Sequence, residues 1–203
     1  MARPVRVCAL GPAPFQRAPG ADLRATAARA MEHWDGWIDR VLPGRPDFIL
    51  VHEACDRPLG MSRADCLDYY ASRGTSILEH FQALARREGV NLGYCAALPA
   101  PDGSLRNRLV FIGRDGAVRG AYNKNHLVWE EYSELNLRFG RKAGVVQMDF
   151  GSVAGAICFD LNFAELREKY EASRPELIAF SSMYHGGFVQ QQWAYACRSW
   201  FLG

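Results

Sequence analysis

Cys158 ends a short run of small and apolar residues, Val153 to Ile157, and is followed by Asp160, Asn162 and a helix-like stretch, Ala164 to Tyr170. A thiol at a strand-to-helix junction sits where backbone N–H groups point outward and the helix end favours negative charge. Both features help a thiolate and an oxyanion. The competing reading is a buried cysteine that only packs. Three more reactive side chains sit at the ends of predicted strands or in the loops after them. Glu53 directly follows the apolar run Asp47 to His52, Lys124 follows a predicted hairpin, and Glu134 lies in the loop 128–144. A thiol, carboxylates and an ammonium are the groups from which covalent catalysis, proton transfer and anion stabilisation are built. Taken alone, Glu53 also fits a helix N-cap or a rim charge.

The elements that must position these residues read as an alternating α/β chain. Val5 to Leu10 is a first buried strand. Ala21 to Leu42 is the clearest helix, with Leu23, Ala27, Ala30, Met31, Trp34, Ile38 and Val41 on one stripe. Asp47 to His52 lacks polar alternation, which implies a strand buried on both faces. Arg57 to Gly74 reads as a loop with one short helix. Ser76 and Glu79 have capping-box spacing and open a second amphipathic helix closed by Gly89. Val90 to Leu98 is a strand, and Leu109–Ile112 with Val118–Tyr122 forms a hairpin around Gly113-Arg114-Asp115-Gly116. Val145–Phe150, Val153–Ile157 and Glu176–Ser181 are further strands, and Val189 to Leu202 has helical character. Strands alternating with helices indicate a layered α/β domain over residues 1–203.

Composition excludes several classes. The 203 residues carry 24 Lys and Arg against 22 Asp and Glu, a net charge of +2. That is too mild for a nucleic-acid or anionic-membrane surface. Six cysteines at 8, 55, 66, 95, 158 and 197 form no C-x-x-C pair, so no structural metal site is signalled and no cofactor is expected. The apolar run Val5–Leu10 is short and meets Gly11-Pro12-Ala13-Pro14, unlike a secretory signal. A cytoplasmic protein with reduced thiols is the expectation.

Three segments carry a resemblance. FILVHE at 48–53, YNKNHL at 122–127 and ICFDLNFAE at 157–165 stand in the order of the glutamate, lysine and cysteine motifs of the nitrilase superfamily of carbon–nitrogen hydrolases. The hairpin NRLVFIGRDGAVRGAY is similar to the strand, turn and return strand before that family's lysine. The resemblance implies a four-layer α-β-β-α sandwich. It implies Cys158 as nucleophile, Glu53 as proton carrier, and Lys124 with the Phe159 N–H at the oxyanion. A further glutamate is implied between lysine and cysteine; Glu134 is the choice, with Glu130 and Glu131 as alternatives. Tyr184 and His185 are candidates to line the substrate pocket, and His126 is read as a structural hydrogen-bonding residue.

The implied activity is hydrolysis of a small non-peptide amide through a thioester, with N-carbamoyl-amide or nitrile hydrolysis as alternatives. A catalytically silent scaffold of the same fold is a further alternative. Three departures mark the sequence: His52 replaces the family's proline, and Asn162 and Ala164 replace its arginine and proline. The family's chain usually continues through further strands, so a C-terminally incomplete domain is expected, and homo-oligomers in any complete form. The apolar residues of the last helical run, Trp193, Trp200, Phe201 and Leu202 among them, are expected to drive association.

Overall fold

The computed structural model describes residues 4–18 and 20–203. In the first sheet β1 (Val7–Leu10), β2 (Phe48–Val51), β3 (Asn91–Pro99), β4 (Leu105–Ile112) and β5 (Val118–Asn123) lie side by side in chain order. The first three are parallel, and β3, β4 and β5 are joined antiparallel. In the second sheet β6 (Val145–Met148) pairs antiparallel with β7 (Gly151–Ile157). Parallel strands β8 (Leu177–Ser181) and β9 (Trp200–Leu202) follow.

Alternation along β2 shows how the layers form. Ile49 and Val51 join the cluster made with Trp34, Ile38, Phe81 and Leu84, from α1 (Leu23–Val41) and α3 (Ser76–Glu88). Phe48 and Leu50 point the other way, into the cluster with Leu109, Phe111, Tyr122 and Ile157 between the sheets. Successive strand residues face opposite sides, so one apolar strand serves two layers. The sheets approach closely at Gly155 of β7: a Cβ there would stand 2.6 Å from the Tyr122 Cβ, which no side chain tolerates. On the outer face of the second sheet lie α5 (Ala164–Ser173) and α6 (Phe188–Cys197). Tyr170 of α5 donates to the Gly155 carbonyl at 2.6 Å, and Trp193 of α6 packs edge-on against its ring at 6.3 Å. The order is helix, sheet, sheet, helix, as the α-β-β-α expectation had it.

Several local expectations need correction. β1 is an edge strand rather than a buried one, and Val7 is exposed. The segment after Arg57 holds an 11-residue helix, α2 (Arg63–Arg73), capped by the Ser62 hydroxyl on the Asp65 N–H at 3.1 Å. The cap of α3 is Thr75 rather than Ser76; its hydroxyl bonds the Glu79 carboxylate at 2.7 Å. The loop 128–144 contains a single turn, α4 (Trp129–Ser133). The last helix stops at Cys197, where Arg198 turns left-handed (φ 54°), and Trp200 to Leu202 become β9 instead of helix. β8 offers a free edge there, and parallel pairing satisfies the backbone of these residues better than a continued helix. Phe188 and Tyr195 on α6 and Trp200 on β9 remain exposed, while Trp193 is buried. No helix among the described residues is long and apolar enough to cross a membrane.

Candidate active site

Cys158 leaves the end of β7 with a left-handed backbone (φ 46°) and starts a 3₁₀ turn, Cys158–Asn162. A non-glycine residue in that region is strained, and such strain persists only where its surroundings over-determine it. Asp160, fully buried two residues on, supplies that restraint. Its Oδ2 accepts from the Ile157 N–H at 3.1 Å and the Tyr122 hydroxyl at 2.8 Å. Its Oδ1 accepts from the N–H groups of Asn125 at 3.1 Å and His126 at 2.9 Å, and from His126 Nδ1 at 2.9 Å. One carboxylate thus fixes the cysteine turn and the chain just past Lys124. His126 is a structural brace: its ring stacks on Phe163 at 3.7 Å, and Nε2 reaches Glu165 at 3.0 Å.

Lys124 is buried, 1% exposed, at the end of the β4–β5 hairpin. Its N–H bonds the Asn107 carbonyl at 2.9 Å, and its own carbonyl accepts from the Gly140 N–H at 2.7 Å. A Cβ at Gly140 would collide with the Asn123 carbonyl, so the loop must have glycine at this contact. Lys124 Nζ donates to Glu53 Oε1 and Glu131 Oε2, each at 2.7 Å. The Asn107 amide bridges the same carboxylates, reaching Glu53 Oε1 at 2.8 Å and Glu131 Oε1 at 2.6 Å. Two carboxylates, one ammonium and one amide form a closed ring of charge-assisted hydrogen bonds. Burial alone would lower the Lys124 pKa, but Glu53 and Glu131 more than reverse this and hold it raised.

The loop after Glu53 is clamped from behind. Ala54 is also left-handed (φ 48°). The Cys55 N–H bonds the Cys95 carbonyl at 3.1 Å, and the Cys55 carbonyl accepts from Trp34 Nε1 at 2.7 Å. Buried Asp56 pairs with Arg73 at 2.8 Å and accepts from the Tyr94 hydroxyl at 2.6 Å. His52 donates through Nδ1 to the Glu53 carbonyl at 2.7 Å and packs 5.2 Å from the Trp34 ring.

Glu53, Lys124 and Cys158 are brought together on the wall of one cavity of about 180 Å³. Burial pushes the Cys158 thiol up to about 12; the Glu53 charge adds to this and Lys124 only partly offsets it. The raised value favours the thiol over the thiolate.

The choice of Glu134 as the second glutamate is corrected. Its carboxylate is half-exposed and pairs with Arg63 at 2.7 Å, while Glu131 stands beside Lys124. α4 explains the difference: Glu131 is its third residue, and its Oε2 also accepts from the Val128 N–H at 3.0 Å, which turns it inward. Valine has no side-chain oxygen to return that bond, so only half of a capping box is formed. Glu130 is exposed at the rim. Phe159 is the second residue of the 3₁₀ turn, with its ring partly exposed. The Tyr184 hydroxyl donates to the Cys158 carbonyl at 3.3 Å. His185 is not brought to the thiol cavity; it lines a neighbouring one of about 460 Å³, together with Tyr184 and His52, and its Nδ1 accepts from the Gly187 N–H. Asn162 Nδ2 donates locally to the Phe159 carbonyl at 3.2 Å.

The carbon–nitrogen hydrolase family model matches residues 16–200. The chain belongs to that family. Solved structures with its fold include a carbon–nitrogen hydrolase from Helicobacter pylori G27, 16% identical, TM-score 0.69, over 96% of this chain and 68% of that one. The NitFhit protein of C. elegans is 19% identical with TM-score 0.76, over 97% of this chain and 49% of that one. An amidase from Nesterenkonia sp. is 16% identical with TM-score 0.67, over 91% and 67%. This chain therefore spans about two thirds of the length of the first and third of these proteins and about half of the second. No curated protein sequence matches it significantly.

Within this carbon–nitrogen hydrolase fold, sequence reasoning missed Asn107 and the Asp56–Arg73 pair. Asn107 stands opposite Ala97 in the β3–β4 register, on the same strand face as Leu105 and Leu109, and a polar residue on that apolar face was its available signal. Asp56 and Arg73 are 17 residues apart with no periodic relation, so only the folded α2 brings them together. No group of three or more metal-ligating side chains forms among the described residues.

Proposed function

We propose that the chain hydrolyses a small non-peptide amide through a thioester on Cys158, releasing ammonia or an amine. The observation that carries this reading is the shared cavity of Cys158, Glu53 and Lys124, with the two carboxylates held on Lys124 and Asn107. Among the described residues, both hydrogen bonds to the Glu53 carboxylate fall on Oε1. Oε2 is then the oxygen that receives the thiol proton as sulfur attacks the amide carbon. An ammonium has three hydrogens, and Lys124 spends two on carboxylates. The third, with the Phe159 N–H, is directed at the developing oxyanion. Collapse of the tetrahedral species breaks the C–N bond, and Glu53 passes its proton to the departing nitrogen. Glu53 then takes a proton from water as the water attacks the thioester, and returns it to the sulfur. A thiol with a raised pKa makes the base essential, since little nucleophile exists before Glu53 acts.

The fold relative from Nesterenkonia sp. supports the reading by analogy: it is an amidase, and a Glu-to-Gln mutant of it adds acrylamide at the active-site cysteine. Self-association belongs to the same proposal, since Phe188, Tyr195 and Trp200 are left uncovered; sedimentation of the purified chain tests it. The activity is tested with a panel of aliphatic amides, carbamoyl amino acids and nitriles, run beside Cys158→Ala. Ammonia release that survives this substitution refutes the reading, and turnover confined to nitriles or carbamoyl compounds moves the substrate class.

A further inference from the structure

His52 stands one residue before Glu53, where the motif it resembles has a proline, a residue with no side-chain donor. Its Nδ1 lies 2.7 Å from the Glu53 carbonyl. A carbonyl only accepts, so the ring proton sits on Nδ1. That carbonyl belongs to the peptide leading into Ala54, whose backbone is left-handed (φ 48°). A non-glycine residue keeps such a conformation only where its surroundings over-determine it. Beyond Ala54, the Cys55 N–H is held by the Cys95 carbonyl at 3.1 Å and the Cys55 carbonyl by Trp34 Nε1 at 2.7 Å. Before Ala54, the holding bond is the one from His52. The fully buried Trp34 ring also seats the His52 ring, 5.2 Å away.

The other ring nitrogen, Nε2, is buried with no hydrogen-bond partner among the described residues. A bare lone pair there costs far less than a charged N–H without an acceptor. The seat therefore suits the neutral ring. Burial lowers the His52 pKa, against the bond to the Glu53 carbonyl and the charges of Glu53 and Asp56. The other titratable groups near the ring are His33 on α1, itself beside Arg29, and His185 and Tyr184 across the cavity of about 460 Å³ that the ring borders.

We infer that His52 is a positioning residue for the reaction: as the neutral Nδ1–H imidazole it fixes the peptide between Glu53 and Ala54, and so aims the Glu53 carboxylate at the Cys158 thiol. This rests on the reading of Glu53 as the base of an amide hydrolase. His52 touches no reacting atom and acts only through the backbone of Glu53. In acid, Nε2 takes a proton from solvent and gains a donor that its seat cannot satisfy. The ring then turns out towards the cavity it borders and lets go of the Glu53 carbonyl.

The test compares His52→Asn, whose amide nitrogen replaces Nδ1 and does not titrate, with His52→Leu, which has no donor. For an amide the chain turns over, kcat should fall about 3- to 10-fold in His52→Leu with KM nearly unchanged, and His52→Asn should recover most of that loss. Alkylation of Cys158 by iodoacetamide reads the same relationship without turnover, because Glu53 must still take the thiol proton. It should slow by a similar factor in His52→Leu and recover in His52→Asn. Below pH 6.5, the ordinary value for histidine, alkylation of the unaltered chain should fall with the midpoint at which nitrogen NMR sees the His52 ring protonate. That step should be missing in His52→Asn. Equal loss in both variants, or equal rates in all three proteins, overturns the inference and leaves the hydrolase reading standing. So does an Nε2–H tautomer at neutral pH, or an unchanged acid midpoint in His52→Asn. If His52→Leu fails to fold, the tautomer and the acid profile of His52→Asn decide the matter. Alkylation that follows this pattern with no hydrolysis of any amide keeps the positioning role and overturns the hydrolase reading.

Discussion

The Asp160 carboxylate accepts the backbone N–H of His126 at 2.9 Å, across 34 residues of sequence. Through this bond and its neighbours, the turn that presents Cys158 and the loop that follows Lys124 share one anchor. Asp160→Asn turns one acceptor into a donor amid five donor groups. Each donor left unpaired costs about 1–3 kcal/mol, so a loss of about 2–4 kcal/mol in denaturant stability is expected. Activity should fall through kcat more than KM, because the distance between sulfur and ammonium is disturbed. Unchanged stability would mean that Asp160 is not the anchor.

The three glutamates separate by kinetics. Glu53→Gln should cost about 10²–10⁴-fold in kcat, the usual range for a lost general base. Glu131→Gln should leave Lys124 with one carboxylate and give a smaller loss. Glu134→Gln removes only a half-exposed pair with Arg63, worth about 0–1 kcal/mol, and should leave turnover near the unaltered rate. A larger loss at Glu134 than at Glu131 contradicts the geometry.

Gly140→Ala puts a methyl group against the Asn123 carbonyl next to Lys124. Activity should drop at least about tenfold, since a misplacement of about 1 Å near the reacting groups can cost about 10²-fold. Gly144→Ala, where nothing lies within 4 Å of the added carbon, is the control. Equal activity in the two variants counts against a positional role for the Gly140 contact.

The Cys158 thiol, held up to about 12, should show no thiolate absorbance at neutral pH or through pH 9.0, its ordinary value. The sign for stability follows. Above pH 9.0 the unfolded chain loses this proton while the folded chain keeps it, so the contribution present below pH 9.0 is lost as pH rises towards about 12. The His126 pKa is raised as well, with burial opposing and Asp160 and Glu165 prevailing. Its stabilising contribution should be full below pH 6.5 and fade as pH climbs through the raised value. A thiolate signal for Cys158 at pH 7, absent in Cys158→Ala, would contradict the first half.

Arg73→Met leaves Asp56 as an unmatched buried charge behind Glu53. Breaking such a pair costs about 3–5 kcal/mol, and chemical denaturation should register most of it. A change under about 1 kcal/mol would show that the pair does not hold the Glu53 loop.

Strands were the most legible part of the chain. Phe48 to Val51 and Gly151 to Ile157 are apolar and end on Glu53 and Cys158, so element and reactive residue were readable together. Trp200 to Leu202 was not, because a short apolar run fits helix or strand until the β8 edge beside it is known. Glu131 and Glu134 differ by less than one helical turn, and which one faces Lys124 depends on where α4 starts. That start carries no N-cap oxygen, so the sequence offered no marker for it. Asn107 and Asp160 act across 54 and 34 residues, distances at which single-sequence patterns are silent.

The central claim is a covalent acyl group on Cys158. Incubating the protein with an amide it turns over, quenching in acid and reading the intact and peptide masses tests this most directly. The account predicts a mass increase equal to the acyl group, located on the peptide containing Cys158 and absent in Cys158→Ala and Glu53→Gln. Turnover that continues in Cys158→Ala, or an adduct on another of the six cysteines, would contradict it.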